Sequence, residues 1–305
     1  SYQPISTNVV KELSDLLGAS NIIFNDPERL EPFSRDEAAD CETRNPELVA
    51  RPGNAEELAQ LVRVANRERI PVTARGAGSG LSGGAVPLFG GIVLDFGRMN
   101  RILEIDRANL TITVEPGVIT SEINEALRPY GLFYAGYPMS LETCTIGGNV
   151  AENAGGGKAV KYGVTGRYVL GVDMVSPTGE LVSLGGKLVK DVSGLNLLQL
   201  MVGSEGILGV FTKIILKLLP LPKASVDMLC LFKTIDEAVA AVPKIMTEGG
   251  IIPTAVEFMD RLSFATSCEY LNESLPCADA GAMLLITVDG ADEKQVEHDY
   301  DVIGE

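Results

Sequence analysis

The chain has 305 residues, enough for two domains, with 46% hydrophobic and 22% charged residues, as expected of a globular protein with a sizeable core. A formal net charge of −16 and a pI near 4.6 argue against a sequence-independent nucleic-acid binder, because no basic surplus exists to displace counterions. The apolar stretch 214–221 is interrupted by Lys217 and Pro220 and is too short to cross a bilayer, so no transmembrane segment is expected. The cysteines, Cys41, Cys144, Cys230, Cys268 and Cys277, form no C-x-x-C pair. Free thiols in a reducing cytoplasm are expected, and neither an iron–sulfur cluster nor a structural zinc site.

Taken in chain order, residues 8–17 read as a helix, with Leu13, Leu16 and Leu17 on one side. Residues 48–50 read as a strand. Asn54 is an N-cap with Glu57 three residues on, and Leu58, Leu61, Val62 and Ala65 follow at helical spacing. Residues 70–74 form the next strand and lead directly into glycine. Short strands are expected over 92–96, 102–106 and 110–114, then the turn Glu115-Pro116-Gly117 and a helix capped by Ser121. Residues 171–176 and 181–184 flank a hairpin signal at 177–179, and 210–219 form one more strand. Composition changes at Pro220-Leu221-Pro222. Beyond it come strands at 228–232, near Val256 and at 283–288, with helices over 236–247 and 291–303. The expected division is 1–223 and 224–305, the second part being an incomplete domain.

Glycine is the compositional anomaly: 33 residues, gathered in clusters. The first is Arg75-Gly76-Ala77-Gly78-Ser79-Gly80-Leu81-Ser82-Gly83-Gly84. Consecutive backbone N–H groups in such a loop point into one concavity and approach a phosphate closely, and Arg75 offers a forked cation to the same group. Gly76, Gly78 and Asp95 imitate a dinucleotide-binding fingerprint. That fingerprint requires a helix opening from the loop, and the continuation through Gly83, Gly84, Pro87, Gly90 and Gly91 is not helical. The second cluster is Thr143-Cys144-Thr145-Ile146-Gly147-Gly148-Asn149 with Asn153 and Gly155-Gly156-Gly157. The third is Gly203-Ser204-Glu205-Gly206-Ile207 with Gly209.

These three strings, with Lys161-Tyr162-Gly163-Val164-Thr165 and Glu115-Pro116-Gly117, resemble the FAD-binding domain of the vanillyl-alcohol oxidase / para-cresol methylhydroxylase superfamily. Within it the resemblance is closest to the glycolate oxidase flavin subunits and FAD-linked D-lactate dehydrogenases, over about residues 45–260. It implies an α+β fold: an FAD-binding domain of two subdomains, followed by an incomplete antiparallel α+β cap. It also implies that Arg75, Gly76, Ala77, Gly78, Ser79, Gly80, Leu81 and Ser82 hold the pyrophosphate. Pro138, Thr145, Gly147, Gly148, Asn153 and Gly155 would line the flavin and ribityl side, and Glu205, Gly206 and Ile207 the adenine and ribose end. Asp95 becomes a structural residue at a strand end.

Relatives with a histidyl–flavin bond often carry His where Ser79 stands, and no histidine precedes His298, so FAD is expected to be non-covalent. Cys144 lies too near Gly147-Gly148 for the cysteine-linked variety and reads as a packing residue. Tyr137 and Lys158 occupy positions where relatives commonly carry an acid and a histidine. Oxidising a hydroxy acid needs a base, a cation for the carboxylate and a flavin, and only the flavin site is recognisable. Glu257 and Asp260 read as structural residues, and His298 as a residue on a helix surface. The resemblance implies oxidation of a D-2-hydroxy acid such as glycolate or D-lactate. Electrons would pass to an iron–sulfur subunit, an electron-transfer flavoprotein or a quinone pool. Two other readings stand beside it: an FAD enzyme of the same fold acting on another alcohol, and a flavin-binding or electron-transfer subunit without substrate chemistry. The relatives' histidine-rich segment follows the cap, so this chain is expected to be a fragment.

Overall fold

The computed structural model describes residues 2–40, 42–272 and 280–305. By contact density the chain divides into two units. One comprises Ser1–Ala154 with Val164–Leu219, the other Gly155–Gly163 with Pro220–Glu305. A single cut near residue 223 does not anticipate the excursion at Gly155–Gly163.

The first unit begins with a four-stranded sheet of β1 (Ile22–Phe24), β2 (Leu48–Ala50), β3 (Val72–Arg75) and β4 (Ile92–Asp95), in the order β1-β2-β4-β3. β4 is parallel to both β2 and β3, whereas β1 is antiparallel to β2. The inner strands Leu48-Val49-Ala50 and Ile92-Val93-Leu94 are apolar without alternation because both faces are covered. The helix Ala55–Glu68 makes the crossover from β2 to β3. Asn54 caps it by accepting from the Glu57 N–H at 2.8 Å, while the Glu57 carboxylate accepts from the Gly53 N–H at 2.7 Å. Leu58, Leu61, Val62 and Ala65 pack with Leu48, Ala50, Ile92 and Leu94, and the helix Thr7–Leu17 adds Val9, Leu13 and Leu17 to the same core.

A second, antiparallel sheet contains β5 (Ile102–Asp106), β6 (Thr111–Val114), β8 (Val169–Val175), β9 (Leu181–Gly185) and β10 (Val210–Lys217), ordered β5-β6-β10-β8-β9; β7 (Leu132–Phe133) and β11 (Leu219–Pro220) are short. The helix Thr120–Leu127 begins one residue before the expected cap. Ile119 occupies the cap position without a side-chain bond, and Ser121 sits in the first turn. The first amides of this helix are satisfied from outside it: Thr120 N–H donates to Cys144 and Ser121 N–H to Leu141.

The second unit is built on the antiparallel sheet of β12 (Ala224–Phe232), β13 (Ala255–Asp260) and β14 (Ala282–Gly290), with β14 in the centre. The helices Ile235–Thr247 and Glu293–Gly304 bury Ala238 and Val296 in a cluster with Met228, Leu284, Ile286 and Val288. A capping box between Thr234 and Glu237 starts the first of these helices, and Asp292 caps the second. These elements form the α+β architecture expected of an FAD-binding domain followed by an antiparallel cap.

Candidate functional site

The first glycine cluster leaves the carboxyl end of β3, the end at which the parallel strands of open α/β sheets present ligand loops. The second opens the helix Ile146–Glu152. That helix is pinned from behind by the Glu115-Pro116-Gly117 turn, with Gly147 N–H donating to Pro116 at 2.8 Å and Ile146 N–H to Val118 at 2.9 Å. Glu115 is itself buried. Its carboxylate accepts from the Arg101 backbone N–H at 2.8 Å and from its guanidinium at 2.8 and 3.1 Å. The turn motif is therefore a bracket holding the second cluster.

Inside the first unit, the first and third clusters converge with the Thr143–Asn149 part of the second. A Cβ on Gly76 would stand 2.6 Å from Thr145 Oγ1 and 3.4 Å from the Gly148 Cα, so the first and second clusters touch backbone to backbone. Gly203 and Glu205 donate their N–H groups to Val150 and Ala151, both at 2.9 Å, which ties the third cluster to the end of the helix Ile146–Glu152. A Cβ on Gly206 would stand 3.5 Å from the Cβ of Ala74 in β3, closing the ring. Glu205 and Gly206 both hold positive φ, 52° and 76°, so the backbone here turns its amides in directions an ordinary loop does not use.

Among the expected contact residues, Gly76, Ala77, Leu81 and Ser82 are exposed, while Gly78, Ser79 and Gly80 are half-buried. Ser82 donates its hydroxyl to Glu152 at 2.9 Å. Leu81 and Ile207 are each 77% exposed, apolar side chains left facing outward on two of the converging loops. Asn153 ends its helix at a φ of 49° and accepts from the Gly166 N–H at 2.8 Å. Pro138 is half-buried in the irregular stretch after β7. Gly155 falls in the second unit. Asp95 accepts from the Arg51 side chain at 2.6 Å and from the Gly97 N–H at 2.8 Å, as a residue closing a strand does.

Arg75 departs from its expected role. The fork turns inward, with its guanidinium donating to the backbone carbonyls of Arg35 at 2.7 Å and Pro32 at 3.2 Å. In this geometry those donors serve the fold and not an outward-facing anion.

Sequence reasoning passed over three polar assemblies. Asn149 donates to Thr120 Oγ1 at 2.8 Å, and that hydroxyl lies 3.2 Å from Cys144 Sγ, so Cys144 is a member of a buried network beneath the second cluster. Tyr134 is fully buried and donates to the Gly136 carbonyl at 2.7 Å, where Thr165 Oγ1 also donates at 2.8 Å. Desolvation pushes the Tyr134 phenol well above its ordinary range. In the second unit, Lys161 and Tyr162 of the quoted motif both reach the buried carboxylate of Asp289, at 2.5 and 2.9 Å. No motif signalled Asp289.

The residues present fit a flavin nucleotide. Thr145 Oγ1 and Ser204 Oγ are buried without a hydrogen-bond partner among the described residues, and each belongs to a converging cluster. Beside Thr145, Gly76 leaves no room for a side chain, so the two loops approach each other there through bare backbone.

Comparison with known proteins follows the same division. Residues 46–185 match the FAD binding domain family, and residues 221–305 match the C-terminal domain of FAD linked oxidases. The chain carries both of these domains of the FAD-linked oxidases. Its cofactor is FAD. It is 41% identical to the glycolate oxidase subunit GlcD of Bacillus subtilis (strain 168) over 299 residues, covering 98% of this chain and 63% of that one. It is 35% identical to the D-lactate dehydrogenase of Anaerostipes hadrus, covering 97% of this chain and 62% of the other. The chain thus spans less than two thirds of the length of these relatives. Among solved structures, alkyldihydroxyacetonephosphate synthase superposes with a TM-score of 0.83 at 24% identity, over 100% of this chain and 60% of that one. For p-cresol methylhydroxylase the TM-score is 0.77 at 18% identity, over 97% and 63%. Both share the fold with this chain. No helix among its described residues is long and apolar enough to cross a membrane, and no cluster of three or more His, Cys, Asp or Glu among them suits a metal ion. Cys41 and Cys277 lie outside the described residues, whereas Cys144, Cys230 and Cys268 are free thiols.

Proposed function

We propose that this chain is the flavin-holding part of an enzyme that oxidises a D-2-hydroxy acid of the glycolate or D-lactate type. The observation that carries the reading is the backbone convergence of the three clusters at Gly76, Gly148 and Gly206, with two orphaned hydroxyls, Thr145 Oγ1 and Ser204 Oγ, at its edge. The relatives at 35–41% identity, a glycolate oxidase subunit and a D-lactate dehydrogenase, support the substrate class.

When bound, FAD supplies the two-electron acceptor for the substrate's α-hydrogen. The chain's own part is to hold and orient. Main-chain N–H groups of 76–82 would hold the pyrophosphate, the Thr145–Gly148 turn the flavin side, and Glu205, Gly206 and Ile207 the ribose and adenine end. Leu81 and Ile207 exclude water there once covered. The cofactor is held without a covalent bond, since Ser79 stands in the first loop and Cys144 is committed to the buried network with Thr120. Electrons leave to a separate partner, an iron–sulfur subunit or an electron-transfer flavoprotein.

The test is an absorption spectrum of the purified protein before and after acid precipitation, followed by anaerobic addition of D-lactate or glycolate. Flavin bands that pass to the supernatant, and that bleach with one of these acids before precipitation, are the expected result. A protein that takes up no added FAD overturns the reading. Retained flavin that neither acid reduces overturns the substrate class for this chain and leaves a flavin-binding subunit or an FAD enzyme acting on another alcohol.

A further inference from the structure

Arg75 ends β3 with only 8% of its surface exposed, and the segments its guanidinium joins lie on both sides of the glycine loop. Pro32 and Arg35, at 3.2 and 2.7 Å, precede the loop, and Ala85, whose carbonyl stands at 3.5 Å, follows it. The ring of Phe33 lies 5.8 Å from the guanidinium carbon, and Asp36 is the first of the carboxylates that stabilise the cation against its burial. A Cβ built on Gly78 would stand 2.1 Å from Nη2 and 2.3 Å from Cζ of the guanidinium, and Gly78 has a φ of +73°. The loop is draped over the arginine.

We propose that Arg75 is a positioning residue for the pyrophosphate loop: its enclosed guanidinium is the template that fixes the backbone of residues 76–84, and it does not touch the anion. Gly78 is glycine because the arginine fills the space a side chain needs. A lysine cannot replace this function, because an ammonium is a compact point charge without a planar fork to join carbonyls on two sides. The inference rests on the reading of this loop as the FAD pyrophosphate site, but its first test does not.

That test is amide hydrogen exchange on the protein without flavin, comparing Arg75→Lys with wild type. Exchange over residues 76–85 is expected to accelerate by about tenfold or more, with the helix Ala55–Glu68 unchanged. Unchanged exchange in the loop overturns the proposal, whether or not the protein binds FAD. The second test is FAD titration at several salt concentrations. Arg75→Lys and Arg75→Met are both expected to weaken FAD binding by about tenfold or more without altering its dependence on salt. A phosphate ligand would instead lose part of the salt dependence in Arg75→Met and regain it in Arg75→Lys, and that outcome overturns the proposal. The third is a double-mutant cycle. Gly78→Ala should weaken FAD binding less in the Arg75→Met background than in wild type, by at least about fivefold, and additive effects overturn the template. Should Arg75→Met fail to fold, the lysine variant still decides through exchange and salt dependence. Failure of the wild-type protein to bind FAD would reject the functional reading while the exchange experiment still judged Arg75.

Discussion

The hydroxyl of Tyr162 faces the carboxylate of Asp289 with its oxygen 2.9 and 3.0 Å from the two acceptor oxygens. Lys161 adds its ammonium to the same carboxylate and to the Asp289 backbone carbonyl, at 2.5 and 2.6 Å. The side chain of Asp289 is 4% exposed, so its charge is compensated by these two neighbours and hardly by water. Asp289→Asn is expected to destabilise the protein by about 2–3 kcal/mol, because it leaves a half-buried ammonium with a neutral partner. Tyr162→Phe is expected to cost about 1 kcal/mol. Urea unfolding measures both, and a change below about 0.5 kcal/mol in Asp289→Asn would show that the clamp contributes nothing.

Gly147→Ala tests the bracket behind the second cluster. Its Cβ would meet the Pro116 Cβ at 2.6 Å and the Pro116 carbonyl at 2.9 Å, and the Gly147 N–H bond to that carbonyl leaves no direction in which to relax. Overpacking of this kind costs about 1–3 kcal/mol. FAD affinity should fall together with stability, read by flavin titration and thermal unfolding of the same sample. Wild-type affinity in Gly147→Ala would detach this turn from the cofactor.

Glu115→Ala should act on the same bracket from the opposite side. Glu115 accepts from the Arg101 N–H and side chain, and Arg101 is itself largely solvated. The expected loss is therefore modest, about 1–2 kcal/mol, and chiefly from the backbone bond. Equilibrium denaturation gives the value.

The alkaline limb of stability should carry the signature of Tyr134. Burial raises its folded-state pKa above the ordinary value of 10.0, so the folded protein holds the proton more tightly than the unfolded chain does. The contribution is complete below pH 10, begins to be lost as the unfolded chain ionises there, and continues to fall toward the higher folded-state pKa. Tyr134→Phe should flatten the decline above pH 10 measured by denaturant titration. An unchanged slope would show that another group sets it.

Much of the framework was legible because it rests on local rules. The apolar runs at 48–50 and 92–96 announced strands, and Asn54 with Glu57 announced the helix after the first of them. Helix entry at Thr120 was not legible, since the partners of its first amides, Cys144 and Leu141, lie some twenty residues away in sequence. The glycine clusters were readable as a set. Their contacts were not, because whether Gly76 meets Gly148 or Gly206 meets Ala74 depends on tertiary approach. Arg75 illustrates the limit most directly. A cation beside a glycine loop suggests a phosphate ligand, and only the carbonyls of Pro32, Arg35 and Ala85 reveal that it faces the other way.

The excursion of Gly155–Gly163 into the second unit has a consequence for anyone recombining this fold. A chimera joined once at the Leu219/Pro220 crossing would inherit Lys161 and Tyr162 from one parent and Asp289 from the other. The graft would need to carry two separate stretches of chain together, or supply a matched donor and acceptor at the seam.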